Sequence, residues 1–173
     1  MPQRVFADIV LPHLDAAYNY ARWLTRNDSD AEDVVQDACV RAMRFFSSLR
    51  GDDARGWLFA IVRNTWYSRV SRKKEVVDPG PSALTGEERP DDALDPEERL
   101  LQKYAVARVR RALDGLPADA REVIVLRELE GLSYKEIAAV VNVPIGTVMS
   151  RLARARDRLT AVLTEPPSME RHR

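Results

Sequence analysis

The sequence predicts an all-α protein of two small helical domains joined by a flexible acidic linker. Apolar residues recur at three- and four-residue spacing through most of the 173 residues, which is the period of an amphipathic helix. Residues 76–98 contain four prolines, two glycines and too few apolar residues to bury a core. Residues 131–159 carry two helix patterns separated by a tight turn. We therefore expect domains at 1–75 and 99–163, with a disordered tail at 164–173.

The composition argues against several classes of protein. The only cysteine, Cys39, cannot form an intramolecular disulfide, and with two histidines in the chain we expect neither a His/Cys metal site nor a cofactor. No phosphate-binding loop and no nucleophile with a matching base is recognisable, so we do not expect an enzyme. No apolar run is long enough for a membrane span or a signal peptide. We expect a cytoplasmic protein without membrane insertion.

The formal net charge of zero conceals three blocks of different charge. Residues 1–75 contain 12 basic and 10 acidic side chains, residues 76–98 contain 1 and 8, and residues 99–173 contain 14 and 9. The blocks therefore carry net charges of +2, −7 and +5. Two basic ends are compatible with nucleic-acid binding, although the chain as a whole is neutral.

The C-terminal pattern GLSYKEIAAVVNVPIGTVMSRLARARDRL predicts a helix-turn-helix. Ser133 and Glu136 have the spacing of a capping box, and Pro144 ends the first helix. The second helix has an apolar face of Val148, Leu152, Ala155 and Leu159. A neighbouring face carries hydroxyl and guanidinium groups, which suit phosphates and base edges: Thr147, Ser150, Arg151, Arg154 and Arg158. Spacing alone also allows an amphipathic hairpin with a solvated basic face.

The same residues carry a resemblance to a known family. VPIGTVMSRLARARDRL, preceded by GLSYKEIAAVVN, closely resembles the C-terminal domain of bacterial group 4 sigma factors, the extracytoplasmic function (ECF) group. The resemblance implies that this domain reads the minus-35 duplex of a promoter. The implied DNA-binding residues are Ser133, Thr147, Ser150, Arg151, Arg154 and Arg158.

Three helices are predicted before the first loop, and the third has an acidic start. A short helix over 4–10 breaks near Pro12, and a second follows it. Ser29 and Glu32 have capping-box spacing at the start of the third, which we expect to run to about Ser48. Acids in a first turn complement the helix dipole, but that effect fades before Asp37. DAEDVVQDACVRAMRFF resembles the helix with which sigma factors dock on core RNA polymerase, which implies that Asp30, Asp33, Gln36 and Asp37 face the polymerase.

A helix predicted over 54–72 mixes aromatic and basic side chains. Its expected core face is Trp57, Leu58, Ile61, Thr65 and Val70. Aromatic rings among Arg and Lys suit single-stranded nucleic acid; the alternative is that Trp66 and Tyr67 are core residues. RGWLFAIVRNTWYSRVSRKK resembles the sigma segment that melts and reads the minus-10 element. This implies that Asn64 helps to hold a flipped-out base, with the loop at 50–55, and that the minus-10 residues are Arg50, Arg63, Asn64, Trp66, Arg69 and Arg72.

The C-terminal domain should contain four helices. The first has an expected apolar face of Leu100, Leu101, Tyr104, Ala107 and Leu113. A break at Leu116 and Pro117 precedes a second helix, which ends with Gly131 at its C′ position. The two helices of the helix-turn-helix complete the domain.

The resemblance at both ends implies an ECF-type sigma factor that binds core RNA polymerase through its beta-prime and beta subunits and directs promoter-specific initiation. Promoter DNA and an anti-sigma factor are the other implied partners. Two alternatives remain open. One is a regulator that binds duplex operator without acting as a polymerase subunit. The other is a sigma-mimicking adaptor that docks protein and never touches DNA.

Overall fold

The computed structural model describes residues 5–73 and 95–166, and within these ranges it is all α, as predicted. The helices are α1 Phe6–Val10, α2 Leu14–Thr25, α3 Asp28–Arg44, α4 Ala54–Lys73, α5 Pro96–Asp114, α6 Ala118–Ile124, α7 Tyr134–Val141 and α8 Ile145–Thr164. Short 3₁₀ turns occur at Leu11–His13 and Phe46–Ser48, and a π-helical turn at Val125–Leu129 continues α6. Most of the predicted linker and tail lies outside the described residues.

The end of the predicted linker and the start of the predicted tail are more helical than expected. Asp95 is the N-cap residue of α5 and Pro96 its first residue, so 95–98 are part of a helix start. A proline suits that first position because its missing N–H would have no partner there. At the other end Thr164 is the last residue of α8.

The N-terminal bundle, residues 5–73, is built on α2, α3 and α4, which pack on one another. The buried face of α4 is Leu58, Phe59, Val62 and Thr65. Trp57 and Ile61, which we expected in the core, are only half-buried and pack at its edge. Phe59 instead faces Tyr20 of α2, with ring centroids 5.2 Å apart. Burying a side chain of this size stabilises the fold by about 1.5–3 kcal/mol.

The start of α3 is capped differently from the prediction. Asn27, not Ser29, is the N-cap residue, and its side-chain oxygen accepts a hydrogen bond from the Asp30 N–H at 3.0 Å. The expected capping box of Ser29 and Glu32 is therefore wrong, because the helix already includes Asp28. The helix also ends earlier than expected, at Arg44, and the chain continues as a 3₁₀ turn to Ser48.

The C-terminal bundle, residues 95–166, has its core where α6 and α7 pack against α8. Its largest fully buried side chains include Leu126, Leu132, Ile137 and Leu152. Gly131 has φ +68°, the left-handed conformation that closes the preceding helix, as predicted. The apolar face expected for α5 is wrong over its first half. Leu100, Leu101 and Tyr104 are 50%, 64% and 63% exposed, and only Ala112 and Leu113 of α5 are buried.

The two bundles pack against each other. Helix α4 contacts α7, and α2 contacts α6 and the π-helical turn. Buried apolar side chains of both bundles form one continuous cluster. Polar pairs also connect the two bundles. Arg26 Nε lies 3.6 Å from Asp114 Oδ1, and the Tyr20 hydroxyl donates a hydrogen bond to Glu122 Oε1 at 2.7 Å.

Candidate polymerase-binding and DNA-binding surfaces

The outer face of α3 holds the predicted polymerase-binding residues. Ala31, Val34, Ala38 and Ala42 turn into the core, which leaves Asp33, Gln36 and Asp37 exposed and Asp30 half-buried. Asp37 binds Arg69 of α4 through both Nε, at 3.0 Å, and Nη2. Asp30 lies 4.0 Å from Lys73 Nζ. Two of the three acids, Asp30 and Asp37, are therefore paired with the basic end of α4, while Asp33 and Gln36 face outward.

The predicted minus-10 residues on α4 occupy different environments. Asn64 and Arg72 are exposed, as is Arg50 in the preceding loop. Trp66 is half-buried and packs against the core, which agrees in part with the alternative that it is a core residue. Arg69 is bound to Asp37, and Arg63 is bound to Glu122 of α6. Near the centre of α4, Asn64 is therefore an exposed hydrogen-bonding side chain, whereas Arg63 and Arg69 are paired with carboxylates.

Arg63 lies at the centre of a polar cluster between the bundles. Its Nε donates to Glu122 Oε1 at 2.6 Å, and its guanidinium carbon lies 4.5 Å from the centre of the Tyr67 ring. Burial raises the pKa of Tyr67, and the Glu122 carboxylate adds to the rise. Burial and the same carboxylate hold the pKa of Tyr20 well above its usual range, so its hydroxyl stays protonated and donates.

The helix-turn-helix is formed by α7 and α8, whose axes are bent by 102° relative to each other. That angle lies in the range typical of DNA-binding motifs of this kind. The predicted capping box is confirmed: Ser133 Oγ accepts from the Glu136 N–H at 3.1 Å, and the Ser133 N–H donates to the Glu136 carboxylate at 2.6 Å. Asn142 ends α7 with φ +55°, and Pro144 precedes α8. Asparagine is one of the few side chains that tolerate this left-handed turn.

The side of α8 opposite its buried stripe is the face available to a DNA groove. Val148, Leu152 and Ala155 are buried, as predicted, so positions 146, 150 and 153 point outward. Ser150, Arg154 and Arg158 are exposed, whereas Thr147 is half-buried. Ser150 donates to the Gly146 carbonyl at 2.8 Å, and its oxygen remains available as an acceptor.

Arg151 is less available than the sequence suggested. Its side chain is 21% exposed, and its Nε lies 3.6 Å from Asp119 Oδ2 of α6. The carboxylate neutralises part of the charge that a DNA phosphate or a guanine edge would otherwise attract. Arg154, three residues further along α8, is exposed.

Reasoning from the sequence did not identify two groups of residues that lie at these surfaces. Met149 is 52% exposed and Ile145 44% exposed on the first turns of α8, where they flank the outward face. The spacing of the buried stripe was the available signal for both. Glu122 and Tyr20 also form part of the surroundings of Arg63, and no local pattern indicates that residues 59 and 43 positions away along the chain meet there.

Within 5–73 and 95–166, no cluster of three or more His, Cys, Asp or Glu is arranged to hold a metal ion. No single helix in the same ranges is long and apolar enough to cross a membrane. Helices α7 and α8 meet that criterion of length and composition only when taken together as a bent pair.

Comparison with known proteins places this geometry in a family. Residues 9–76 match the family model for sigma-70 region 2, and residues 107–159 match that for sigma-70 region 4. The RNA polymerase sigma-H factor of Pseudomonas aeruginosa is 33% identical over 168 residues, covering 93% of this chain and 87% of the relative. The ECF RNA polymerase sigma-E factor of Escherichia coli is 38% identical over 137 residues, covering 75% and 72%.

Solved structures agree with the sequence relatives. The sigma factor RpoE from Bartonella quintana, in complex with the anti-sigma factor NepR, matches with a TM-score of 0.71 and 33% identity, covering 91% of this chain and 96% of that one. CnrH in complex with the cytosolic domain of CnrY matches with a TM-score of 0.63 and 30% identity, covering 91% and 86%.

The two region models, in this order on an all-α chain that ends in a helix-turn-helix, define a bacterial sigma factor. The chain belongs to the ECF group of the sigma-70 family. It is an initiation factor that associates with core RNA polymerase and directs transcription from specific promoters. Members of this family are non-catalytic, so the chemistry of RNA synthesis belongs to the polymerase.

Proposed function

We propose that the two bundles divide promoter recognition between them: the N-terminal bundle docks on core polymerase and captures the opened minus-10 strand, and the C-terminal bundle reads the minus-35 duplex. The observation that supports this division is that each bundle presents its own exposed polar helix face, around Asn64 on α4 and around Ser150 and Arg154 on α8. Both act in the cytoplasm, with the polymerase.

In the C-terminal bundle, α8 is the helix that enters the major groove. Its exposed Ser150 and Arg154 offer a hydroxyl and a guanidinium, which can bond to base edges and phosphates. Thr147, Arg151 and Arg158 on the flank of the helix, and Ser133 at the start of α7, contact the phosphate backbone and fix the register.

In the N-terminal bundle, Asn64 receives an unpaired base. Its amide has both a donor and an acceptor to satisfy a base edge, and it is exposed near Trp66 and Tyr67 on the same helix. Arg50 and Arg72, which are exposed, supply positive charge for the single-stranded backbone, and Arg63 and Arg69 add to it once they leave Glu122 and Asp37.

Core polymerase contacts the outer face of α3 through Asp33 and Gln36, which are exposed. Asp37 and Asp30 contribute at the edge of the same surface, where they pair with Arg69 and Lys73 of α4, which packs against α3. Docking through α3 therefore places the minus-10 helix in a defined position on the polymerase. The contacted surface belongs to the beta-prime subunit, and the C-terminal bundle lies towards the beta subunit.

Promoter binding requires the two bundles to separate. The two promoter elements are about 25 base pairs apart by their positions, or about 85 Å at 3.4 Å per base pair. A compact chain of 173 residues is only about 40 Å across. The packed arrangement of α4 on α7 therefore cannot reach both elements at once.

An anti-sigma factor is the third partner. One solved relative with 33% identity, the sigma factor RpoE from Bartonella quintana, is described in complex with the anti-sigma factor NepR. The exposed apolar side chains at the start of α5, Leu100, Leu101 and Tyr104, offer a surface of the kind that a helical inhibitor buries.

The decisive experiment is transcription in vitro with purified core polymerase and genomic DNA fragments as templates. We expect the chain to produce discrete transcripts that core alone does not. Asp33→Arg should weaken core binding in a pull-down without loss of helicity. A chain that binds duplex DNA tightly in the absence of polymerase, and adds no transcripts in its presence, would instead be an operator-binding regulator.

A further inference from the structure

The most deeply buried charge within the described residues links the two bundles. Glu122 of α6 is 4% exposed. Its Oε1 accepts hydrogen bonds from the Tyr20 hydroxyl at 2.7 Å and from Arg63 Nε at 2.6 Å, and Arg63 Nη2 lies 3.4 Å from Oε2. Both donors belong to the N-terminal bundle, on α2 and α4. The Glu122 carboxylate therefore has these hydrogen-bond donors only while the two bundles are packed together.

Such a contact is suited to reversible closure. A buried ion pair gains Coulomb attraction but loses the hydration of both ions, so its net contribution to closure is small. When the bundles part, Glu122 and Arg63 return to water and recover that hydration. The contact thus specifies how the bundles meet without making their separation prohibitively costly.

The same contact occupies a residue of the proposed minus-10 surface. Arg63 immediately precedes Asn64, and its guanidinium is held between the Glu122 carboxylate and the Tyr67 ring. A guanidinium engaged in this way is not available to a DNA phosphate. The carboxylate also brings negative charge beside the site where the DNA backbone would lie.

We propose that Glu122 is a latch that holds the C-terminal bundle on the minus-10 surface of the free sigma factor and withholds Arg63 from DNA until the bundles separate. This inference rests on the proposed role of α4 in minus-10 recognition. It gives region 4 of this chain a second task, regulation of region 2, in addition to reading DNA.

Tyr20 supports the latch from the other side of the carboxylate. Its hydroxyl is fully buried, and burial together with Glu122 keeps its pKa well above the usual range, so it remains a donor at all physiological pH values. The ring also packs on Phe59, which anchors the hydroxyl in the core of the N-terminal bundle. Glu122 therefore docks onto a rigid donor rather than a mobile surface chain.

The test uses two substitutions of the carboxylate in the full-length chain. Glu122→Gln keeps the shape and an acceptor for Tyr20 but loses the charge that binds Arg63. Glu122→Lys places a second positive charge beside Arg63 and should force the bundles apart. Glu98→Gln is the matched control, because it removes the same charge from an exposed position on the same bundle. Circular dichroism establishes that each variant is folded.

The first measurement is the distance between the bundles. Spin labels on cysteines placed at the exposed positions Ser47 and Thr160, in a Cys39→Ser background, report it by pulsed electron resonance. We expect one narrow distribution for the wild type and for Glu98→Gln, and a broad, longer distribution for Glu122→Lys. A Glu122→Lys distribution identical to that of the wild type would overturn the latch, as would a wild type that is already broad.

The second measurement is binding of a fluorescent single-stranded oligo(dT) by the free chain. Apparent affinity scales with the fraction of molecules whose site is available. We expect Glu122→Gln to bind about three- to tenfold more tightly than the wild type, beyond any change in Glu98→Gln. Equal or weaker binding by Glu122→Gln would mean that Glu122 only stabilises the fold. Failure of the proposed role of α4 would be recognised separately, since Asn64→Ala would then open promoters as the wild type does, whatever the distances show.

Discussion

At the residue scale, the carboxylate beside each arginine decides whether its guanidinium is available to bind DNA. Arg63, Arg69 and Arg151 lie against Glu122, Asp37 and Asp119 respectively, whereas Arg154 is exposed on α8. A guanidinium reads guanine through two parallel hydrogen bonds, which a competing carboxylate would weaken. We therefore expect Arg154, rather than Arg151, to select a base.

Replacement of Arg154 tests this assignment. We expect Arg154→Ala to cost about 1–3 kcal/mol at one promoter position and little at the others. Arg151→Ala should cause a smaller loss that is uniform across sequences, because Asp119 already neutralises part of its charge. Competition binding of the holoenzyme to single-base minus-35 variants measures both. A uniform loss for Arg154→Ala would reduce it to a phosphate contact.

Asn64 tests base capture in the minus-10 surface. Extruding a base costs a few kcal/mol of unstacking, which hydrogen bonds to its edge must recover. Because Asn64 is exposed and not part of the core, Asn64→Ala should leave core binding and minus-35 duplex binding nearly unchanged but impair promoter opening. A permanganate footprint of the minus-10 thymines measures the opening. Normal opening by the variant, or no rescue by a pre-melted template, would contradict the assignment.

Glu130 predicts a dependence of stability on pH. Burial raises the pKa of this carboxyl, and the Arg55 guanidinium offsets part of the rise. Because the folded-state pKa is the higher one, the protonated form favours folding, and that stabilisation is lost as the pH rises through the folded-state pKa. Glu130→Gln should therefore raise the melting temperature at pH 7. The gain should disappear as the pH falls below the pKa of a glutamate in the unfolded chain, about 4.3.

Glu98→Gln is the control for this measurement, since Glu98 is exposed. A Glu130→Gln variant that melts below the wild type at pH 7 would show that attraction to Arg55 outweighs burial.

At the element scale, helix starts are set by single side chains. Ser133 and Glu136 satisfy each other's backbone N–H groups at the start of α7, whereas Asn27 alone caps α3. Both starts looked alike in the sequence, since each has a serine three residues before a glutamate. Only the one at α7 has the extended backbone at its serine that the motif requires.

The two serines form a matched pair for mutation. Ser133→Ala should destabilise the protein by about 1 kcal/mol, because it leaves a backbone donor of α7 without its partner. Ser29→Ala should change stability by less than about 0.5 kcal/mol, since Ser29 is an exposed residue inside α3 and not its cap. Urea unfolding followed by circular dichroism measures both. Equal losses for the two variants would contradict the assignment of the caps.

Local patterns predicted the helices well and their partners poorly. The turn at Asn142 and Pro144, the C′ glycine Gly131 and the buried stripe of α8 all follow from backbone and periodicity rules. Leu100 and Tyr104 of α5 were misplaced because periodicity finds an apolar face but does not indicate whether another helix covers it. The burial of Glu122 lay beyond local reasoning for the same reason, since both of its partners are in the other bundle.

At the scale of the whole molecule, two matched family regions behave as one packed body in the free chain. Apolar side chains from both bundles form a continuous core cluster, and α4 packs directly on α7. The proposed function requires the opposite arrangement, because the minus-10 and minus-35 elements are further apart than the packed chain can reach. The interface between the bundles is therefore the part of the structure that must be stable enough to form and weak enough to open.

Unfolding measured with two probes tests this coupling. All three tryptophans, Trp23, Trp57 and Trp66, lie in the N-terminal bundle, so their fluorescence reports that bundle alone, whereas circular dichroism at 222 nm reports helices of both. Because the core is continuous, we expect the two urea transitions of the wild type to coincide, as they do for a single cooperative unit. Glu122→Lys removes the buried carboxylate that Tyr20 and Arg63 share. The bundles of this variant should therefore unfold independently, and the urea midpoints measured by the two probes should separate. If the wild-type midpoints already differ, the bundles are not coupled in solution, and each contributes its stability alone.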